Sequence, residues 1–105
     1  MSRIVKRAWG WYWTILERKH FKVKLLRFHA QKACSYQFHE KRSELWLFLT
    51  GHGRFKLNDS LFGTHPESAI HVATGDKHEY MALTPSFILE IQYGQACEEK
   101  DIVRI

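Results

Sequence analysis

The chain has 105 residues, 45% of them hydrophobic and 14% aromatic, and a formal net charge of +5. That is enough for one domain with one modest core and too apolar for a disordered segment. The longest apolar runs, such as LWLFL at 45–49, are far too short to cross a bilayer, and no charged start followed by an apolar block and a small-residue cleavage site is present.

The first residues are basic: SRIVKR (2–7) and ERKHFKVK (17–24) hold much of the positive excess. Such a surface attracts nucleic acid or a small phosphorylated ligand. No helix-turn-helix pattern, zinc finger or RNA-binding signature supports the first, so no nucleic-acid partner and no membrane partner is expected. Strand-like runs then recur every eight to twelve residues: Trp9 to Leu16, Phe21 to Phe28, Cys34 to His39, Glu44 to Thr50 and Arg54 to Leu57. They continue as Ser60 to Thr64, Ser68 to Ala73, His78 to Leu83 and Ser86 to Tyr93. The intervening TGHG, LNDS, ATGD and LTPS are turn-forming. The one helical candidate is a short segment near the C-terminus. No repeat or linker divides the chain, so residues 1–105 are expected to form a single all-β domain, a sandwich or barrel. Cys34 and Cys97 lack the close pairing of a zinc or redox motif and read as free thiols in a cytoplasmic protein, with one disulfide as the alternative.

Residues two apart on a strand share a face. Ser35, Gln37 and His39 are therefore expected on one side of their strand, and Cys34, Tyr36 and Phe38 on the other. A barrel with a polar pocket inside would explain metal-binding atoms on a strand whose other face packs. His20, His29, His52 and His65 read as hydrogen-bonding or surface residues; His71 lies on a strand expected to line the pocket. Trp46 reads as core.

The pattern Gln37-x-His39, four residues, Glu44, six residues, Gly51 resembles the first motif of the cupins, with Gln in the first His slot. The segment ATGDKH supplies Gly75 and His78 of the second motif, with Ala73 where Pro is usual. More narrowly, QFHEKRSELW (37–46) is similar to the Gln-x-His-x-x-Arg-x-Glu-His-Trp signature of the C-terminal cupin domain of type II phosphomannose isomerases, often fused to a mannose-1-phosphate guanylyltransferase. RAWGWY, FKVKLL, LEIQYG and KDIVRI extend the likeness over nearly the whole chain. Leu45 stands where His usually precedes the Trp, Ala30 and Gln31 where Pro-Gly opens the first motif, and Ala82 where Asn is frequent.

The resemblance implies a cupin, that is, a double-stranded β-helix or jelly-roll barrel. Its divalent metal would be held by Gln37, His39, Glu44 and His78. One carboxylate, one amide oxygen and two imidazoles suit Zn, Mn, Fe, Co or Ni and leave room for a bidentate sugar. The imidazoles must be neutral to ligate, so affinity should fall in acid. The implied reaction interconverts mannose 6-phosphate and fructose 6-phosphate. It needs a base to carry a proton between C2 and C1 and a basic group for the phosphate. Glu90 is the candidate base, with Lys24 and Arg104 as further catalytic or phosphate-binding groups. Arg42 and Gln92 are candidate substrate contacts. Cupins commonly pair through their sheets, so a homodimer is expected, with WGWYW as its contact or as a wall of the barrel's own core. A cupin that binds a sugar or small acid without turnover, or that runs another metal-dependent reaction, is the alternative.

Overall fold

A computed structural model describes residues 3–105; Met1 and Ser2 of the expected domain lie outside the described residues. The strands are β1 (Ile4–Arg7), β2 (Gly10–Glu17), β3 (Phe21–Phe28), β4 (Gln37–Phe38), β5 (Arg42–Thr50), β6 (Gly53–Leu57), β7 (Ser60–Thr64), β8 (Ala69–Val72), β9 (His78–Ala82), β10 (Ser86–Gly94) and β11 (Val103–Arg104). They form an antiparallel six-stranded sheet in the order β1-β2-β3-β10-β5-β8 and a five-stranded sheet in the order β11-β4-β9-β6-β7. The sheets meet through ring contacts, Phe28–Tyr80 at 5.0 Å, Trp46–Phe55 at 5.3 Å and Phe48–Tyr80 at 5.2 Å between centroids.

Three expectations change. The basic opening segment contains a strand, β1, that pairs with β2 at the edge of the larger sheet. No helix occurs among the described residues, and none is long and apolar enough to cross a membrane. The C-terminal segment instead ends in β11, which pairs with β4; those ladder bonds satisfy backbone groups that a short, marginally stable helix would leave at its ends. The expected Cys34–His39 strand shrinks to Gln37–Phe38. Cys34 is buried in the core, its amide bonded to the Tyr80 carbonyl at 3.2 Å, and it lines the same cavity as Gln37. Strict alternation therefore fails between them, because the chain from Cys34 to Tyr36 is not extended strand.

The aromatic segment divides its rings between two sides. Trp9 stacks on Phe28 at 4.2 Å and Tyr12 is buried in the core, while Trp13 is 39% exposed. Both cysteines are free and buried.

The inner face of the large sheet changes character along its strands. Ile88 on β10 lies opposite Leu26 and Phe48. Two residues on, Glu90 lies opposite Lys24 and Trp46, and Gln92 opposite Lys22 and Glu44. One end of the barrel is thus packed with aromatic and aliphatic side chains, and the other with buried charge.

Candidate metal centre

β5 carries Arg42, Glu44, Trp46 and Phe48 inward by simple alternation. His39 precedes it in the turn from β4, and His78 opens β9, directly opposite Gln37 in the ladder. Cross-strand partners of this kind point their side chains to one face. The Gly51 and Gly75 of the two motifs serve the backbone. Gly51 holds φ at +87°, and a Cβ there would lie 2.4 Å from the Pro85 carbonyl oxygen. Gly75, also at +87°, donates its N–H to the His39 carbonyl at 2.8 Å, tying the second motif to the first.

His39, Glu44 and His78 converge, all buried. His39 Nε2 lies 3.2 Å from Glu44 Oε2, and His78 Nε2 lies 3.4 Å from Glu44 Oε1. Donor atoms that share one ion at about 2.1 Å stand roughly 3 Å apart, so the spacing fits a single divalent ion. His39 Nδ1 donates to the Asp101 carbonyl at 2.6 Å and His78 Nδ1 to the Asp76 carbonyl at 3.1 Å. Those bonds fix the tautomer that leaves both Nε2 lone pairs directed at Glu44, the outer-sphere arrangement of metal-ligating histidines. His78 Nε2 is buried with no hydrogen-bond partner, an orphan that a cation would satisfy.

Burial alone would raise the Glu44 carboxyl, but positive charge on the adjacent His39 and His78 rings, when they are protonated, outweighs it and holds Glu44 well below the usual carboxylate range. Trp46 Nε1 donates to Glu44 Oε1 and Arg42 Nε to Glu44 Oε2, each at 2.9 Å. Trp46 is core, as its sequence context implies, and it also orients the Glu44 carboxylate. Arg42 is buried; its Nη2 lies 3.3 Å from His39 Nε2, and its Nη1 donates to the Glu98 carbonyl at 2.7 Å. Gln37 stands beside the three converging groups through its pairing with His78, its Oε1 accepting from Ser35 Oγ at 2.8 Å.

A cavity of about 150 Å³ opens against Glu44, room for about five waters. Lys24, Gln37, Arg42, Glu90, Gln92 and Arg104 line it, so every candidate substrate or proton-transfer residue faces one space. Glu90 is buried; desolvation first, then the nearby Glu44 charge, push its carboxyl up, and Gln92 Nε2 donates to Glu90 Oε1 at 2.6 Å. His71 is not in this space: it is exposed, its ring bonded to the Tyr93 hydroxyl. Leu45 points to the outer face, between Ile91 and His71 in the ladder, so the missing His of the signature removes no inward group.

Of the C-terminal segment the sequence points to Arg104, but not to Glu98, Glu99 or Asp101. Asp101 Oδ1 and Oδ2 accept from the Glu40 and Lys41 amides, each at 2.9 Å, while its carbonyl holds His39. Glu99 Oε2 accepts from Lys24 Nζ at 2.6 Å and Lys22 Nζ at 3.1 Å. Lys22, which sits on the inner face although the apolar Phe21 beside it is 42% exposed, was also missed. Only the two-residue alternation around Lys24 hinted at it.

The family model for mannose-6-phosphate isomerase C-terminal regions matches residues 1–105. The chain is 29% identical over 106 residues to a mannose-1-phosphate guanylyltransferase of Salmonella typhimurium, covering 99% of this chain and 22% of that protein. It is 31% identical over 103 residues to the mannose-1-phosphate guanylyltransferase of Sinorhizobium fredii, covering 94% and 20%. The chain therefore spans about a fifth of the length of these curated relatives. Among solved structures, oxalate decarboxylase from Bacillus subtilis, in its structure at pH 4.6, superposes with a TM-score of 0.88 at 13% identity, over 99% of this chain and 30% of that one. A protein from Klebsiella pneumoniae with a double-stranded β-helix domain superposes at 0.75 and 15% identity, over 87% and 75%. The expected jelly-roll barrel is borne out.

Proposed function

Because this chain belongs to the mannose-6-phosphate isomerase C-terminal family, a cupin family whose model covers residues 1–105, we propose that it is a metal-dependent sugar-phosphate isomerase acting on mannose 6-phosphate and fructose 6-phosphate. One observation carries the reading: His39, Glu44 and His78 converge at the end of a cavity whose wall also holds the buried Glu90. Gln37, His39, Glu44 and His78 would hold the ion, one of Zn, Mn, Fe, Co or Ni, with the His39 lone pair that Arg42 Nη2 faces here at 3.3 Å turned over to it. When bound, the ion polarises the sugar oxygens and offsets the negative charge that develops as the carbon-bound proton leaves.

The chain's own residues supply the rest. Glu90 takes the proton from C2 and returns it at C1. Its raised carboxyl suits that role, since a base works best with an affinity for protons near the working pH. Gln92 orients it through the 2.6 Å bond. Arg42 keeps Glu44 ionised and in place at the cavity wall. Lys24 and Arg104 on the same wall supply positive charge for the phosphate.

A second reading keeps the ligand set without isomerisation: a small sugar or acid is held, or another metal-dependent reaction runs. The likeness of the fold to oxalate decarboxylase, a protein with Mn(II) centres, favours it. Elemental analysis followed by incubation with either sugar phosphate separates the two. A drift of the mannose 6-phosphate to fructose 6-phosphate ratio toward equilibrium, stopped by chelator, supports the isomerase. Stoichiometric metal with a fixed ratio removes it in favour of the second.

A further inference from the structure

We propose that Lys22 and Lys24 form an anion subsite of the cavity, and that Glu99 is its internal occupant, displaced when the phosphate or carboxylate of a small ligand arrives. For a phosphosugar the subsite would take the phosphate, and to that extent it rests on the isomerase reading; the anion site itself does not.

The two lysines project from the same face of β3, fixed by its two-residue period, and their side chains are 4% and 5% exposed. A buried ammonium without an anion is strongly unfavourable, so this pair requires a partner. Among the described residues the barrel wall provides one within ion-pair distance to Lys22 alone, and none to Lys24. Lys22 has Glu17 Oε2 at 3.4 Å from a side chain 65% exposed, and Lys24 Nζ lies 4.0 Å from the Tyr12 ring centroid. The close partner of both is one oxygen, Glu99 Oε2, on a side chain 45% exposed.

Glu99 comes from the irregular segment that closes the chain, in a turn where the Asp101 amide bonds the Glu98 carbonyl at 3.1 Å. The flanks of that turn are anchored independently. Glu98 is held by its carbonyl on Arg42, and Asp101 by its carboxylate on Glu40 and Lys41. The carboxylate of Glu99 can therefore swing off the lysines without unzipping the segment. Lys24 and Glu99 both line the cavity, as does Glu90. Lys22 does not itself line the cavity and joins it through the Glu99 oxygen it shares with Lys24; an anion that takes the place of that oxygen meets two desolvated cations, and a phosphate brings three acceptor oxygens where Glu99 uses one. Glu99 is the one carboxylate that pairs with both ammoniums; against the opposing pull of burial, their proximity holds it ionised, down at about 2.

The test uses the metal-free full chain and inorganic phosphate, so that neither the metal nor turnover enters. By titration calorimetry, Glu99→Gln binds phosphate at least about tenfold more tightly than the unchanged protein, the effect of removing one competing charged hydrogen-bond partner. Adding Lys24→Gln to that variant abolishes the gain, and phosphate raises the Tm of Glu99→Gln more than that of the unchanged chain. Binding no tighter in Glu99→Gln, or unaffected by Lys24→Gln, overturns the proposal and leaves Glu99 as a structural counter-ion. Should Glu99→Gln fail to fold, Glu99→Asp keeps the charge and shortens its reach; tighter phosphate binding is then expected, and equal or weaker binding overturns the proposal. A positive result with a silent isomerase assay would separate this subsite from the isomerisation reading.

Discussion

The two ends of the barrel are built by the same strands and obey different rules. At one end Phe28, Phe48, Phe55, Tyr80 and Ile88 are almost wholly removed from solvent and pack into one apolar cluster with their aliphatic neighbours. At the other, Lys22, Lys24, Arg42, Glu44, Glu90 and Gln92 are as deeply buried but must be matched partner by partner. Apolar burial is additive and tolerant, whereas a buried charge is stable only in a complete set. The polar end therefore recruits partners from far along the chain, Glu98, Glu99 and Asp101, and still leaves His78 Nε2 and Gln92 Oε1 unpaired. The fold is supported at one end and the chemistry is placed at the other.

That separation breaks most clearly at a ligand. His39→Ala should abolish metal content by elemental analysis while the far-ultraviolet spectrum stays that of the β-barrel; retained metal would refute the ligand set. Glu90→Gln should keep the metal and lower kcat for sugar-phosphate interconversion by about 10²- to 10⁴-fold, the usual worth of a positioned base; an unchanged rate would move the base elsewhere. At the apolar end the reverse holds. Phe48→Ala should cost about 3–5 kcal/mol in urea unfolding and leave metal stoichiometry per folded molecule as it was.

Acid sharpens the contrast more gently. Glu99 titrates near 2 in the folded chain against an ordinary 4.5, so the unfolded chain takes up the proton first. The stability from this contact is whole above pH 4.5 and drains away as pH falls toward 2. Glu90 has the opposite sign: its raised carboxyl favours the folded state at low pH and loses that advantage as pH rises. Urea midpoints measured across the acid range should therefore drop less steeply in Glu99→Gln. Smallest of all, Leu45→His, which restores the family signature, should leave metal affinity unchanged, because position 45 faces outward.

Much of this was legible in the residues. Turn clusters delimited most of the strands, and the spacing of Gln37, His39, Glu44 and His78 named a candidate metal site, of which His39, Glu44 and His78 converge. Glu90, Gln92, Lys24, Arg42 and Arg104 line one cavity. Hydropathy misled at β3, where Phe21 is exposed and Lys22 buried, because the inner face there is selected for charge rather than for apolarity.

By itself the sequence determined an all-β domain, which follows from short-range alternation and turn chemistry, while the motif glycines and the candidate metal donors came from its resemblance to the cupin motifs. Only the tertiary structure decided that residues 98–101 complete the polar end. The contacts involved are backbone carbonyls and two carboxylates meeting residues 56 to 77 positions away. A carbonyl is the same in every residue, so nothing in the side-chain code announces which one will hold a histidine.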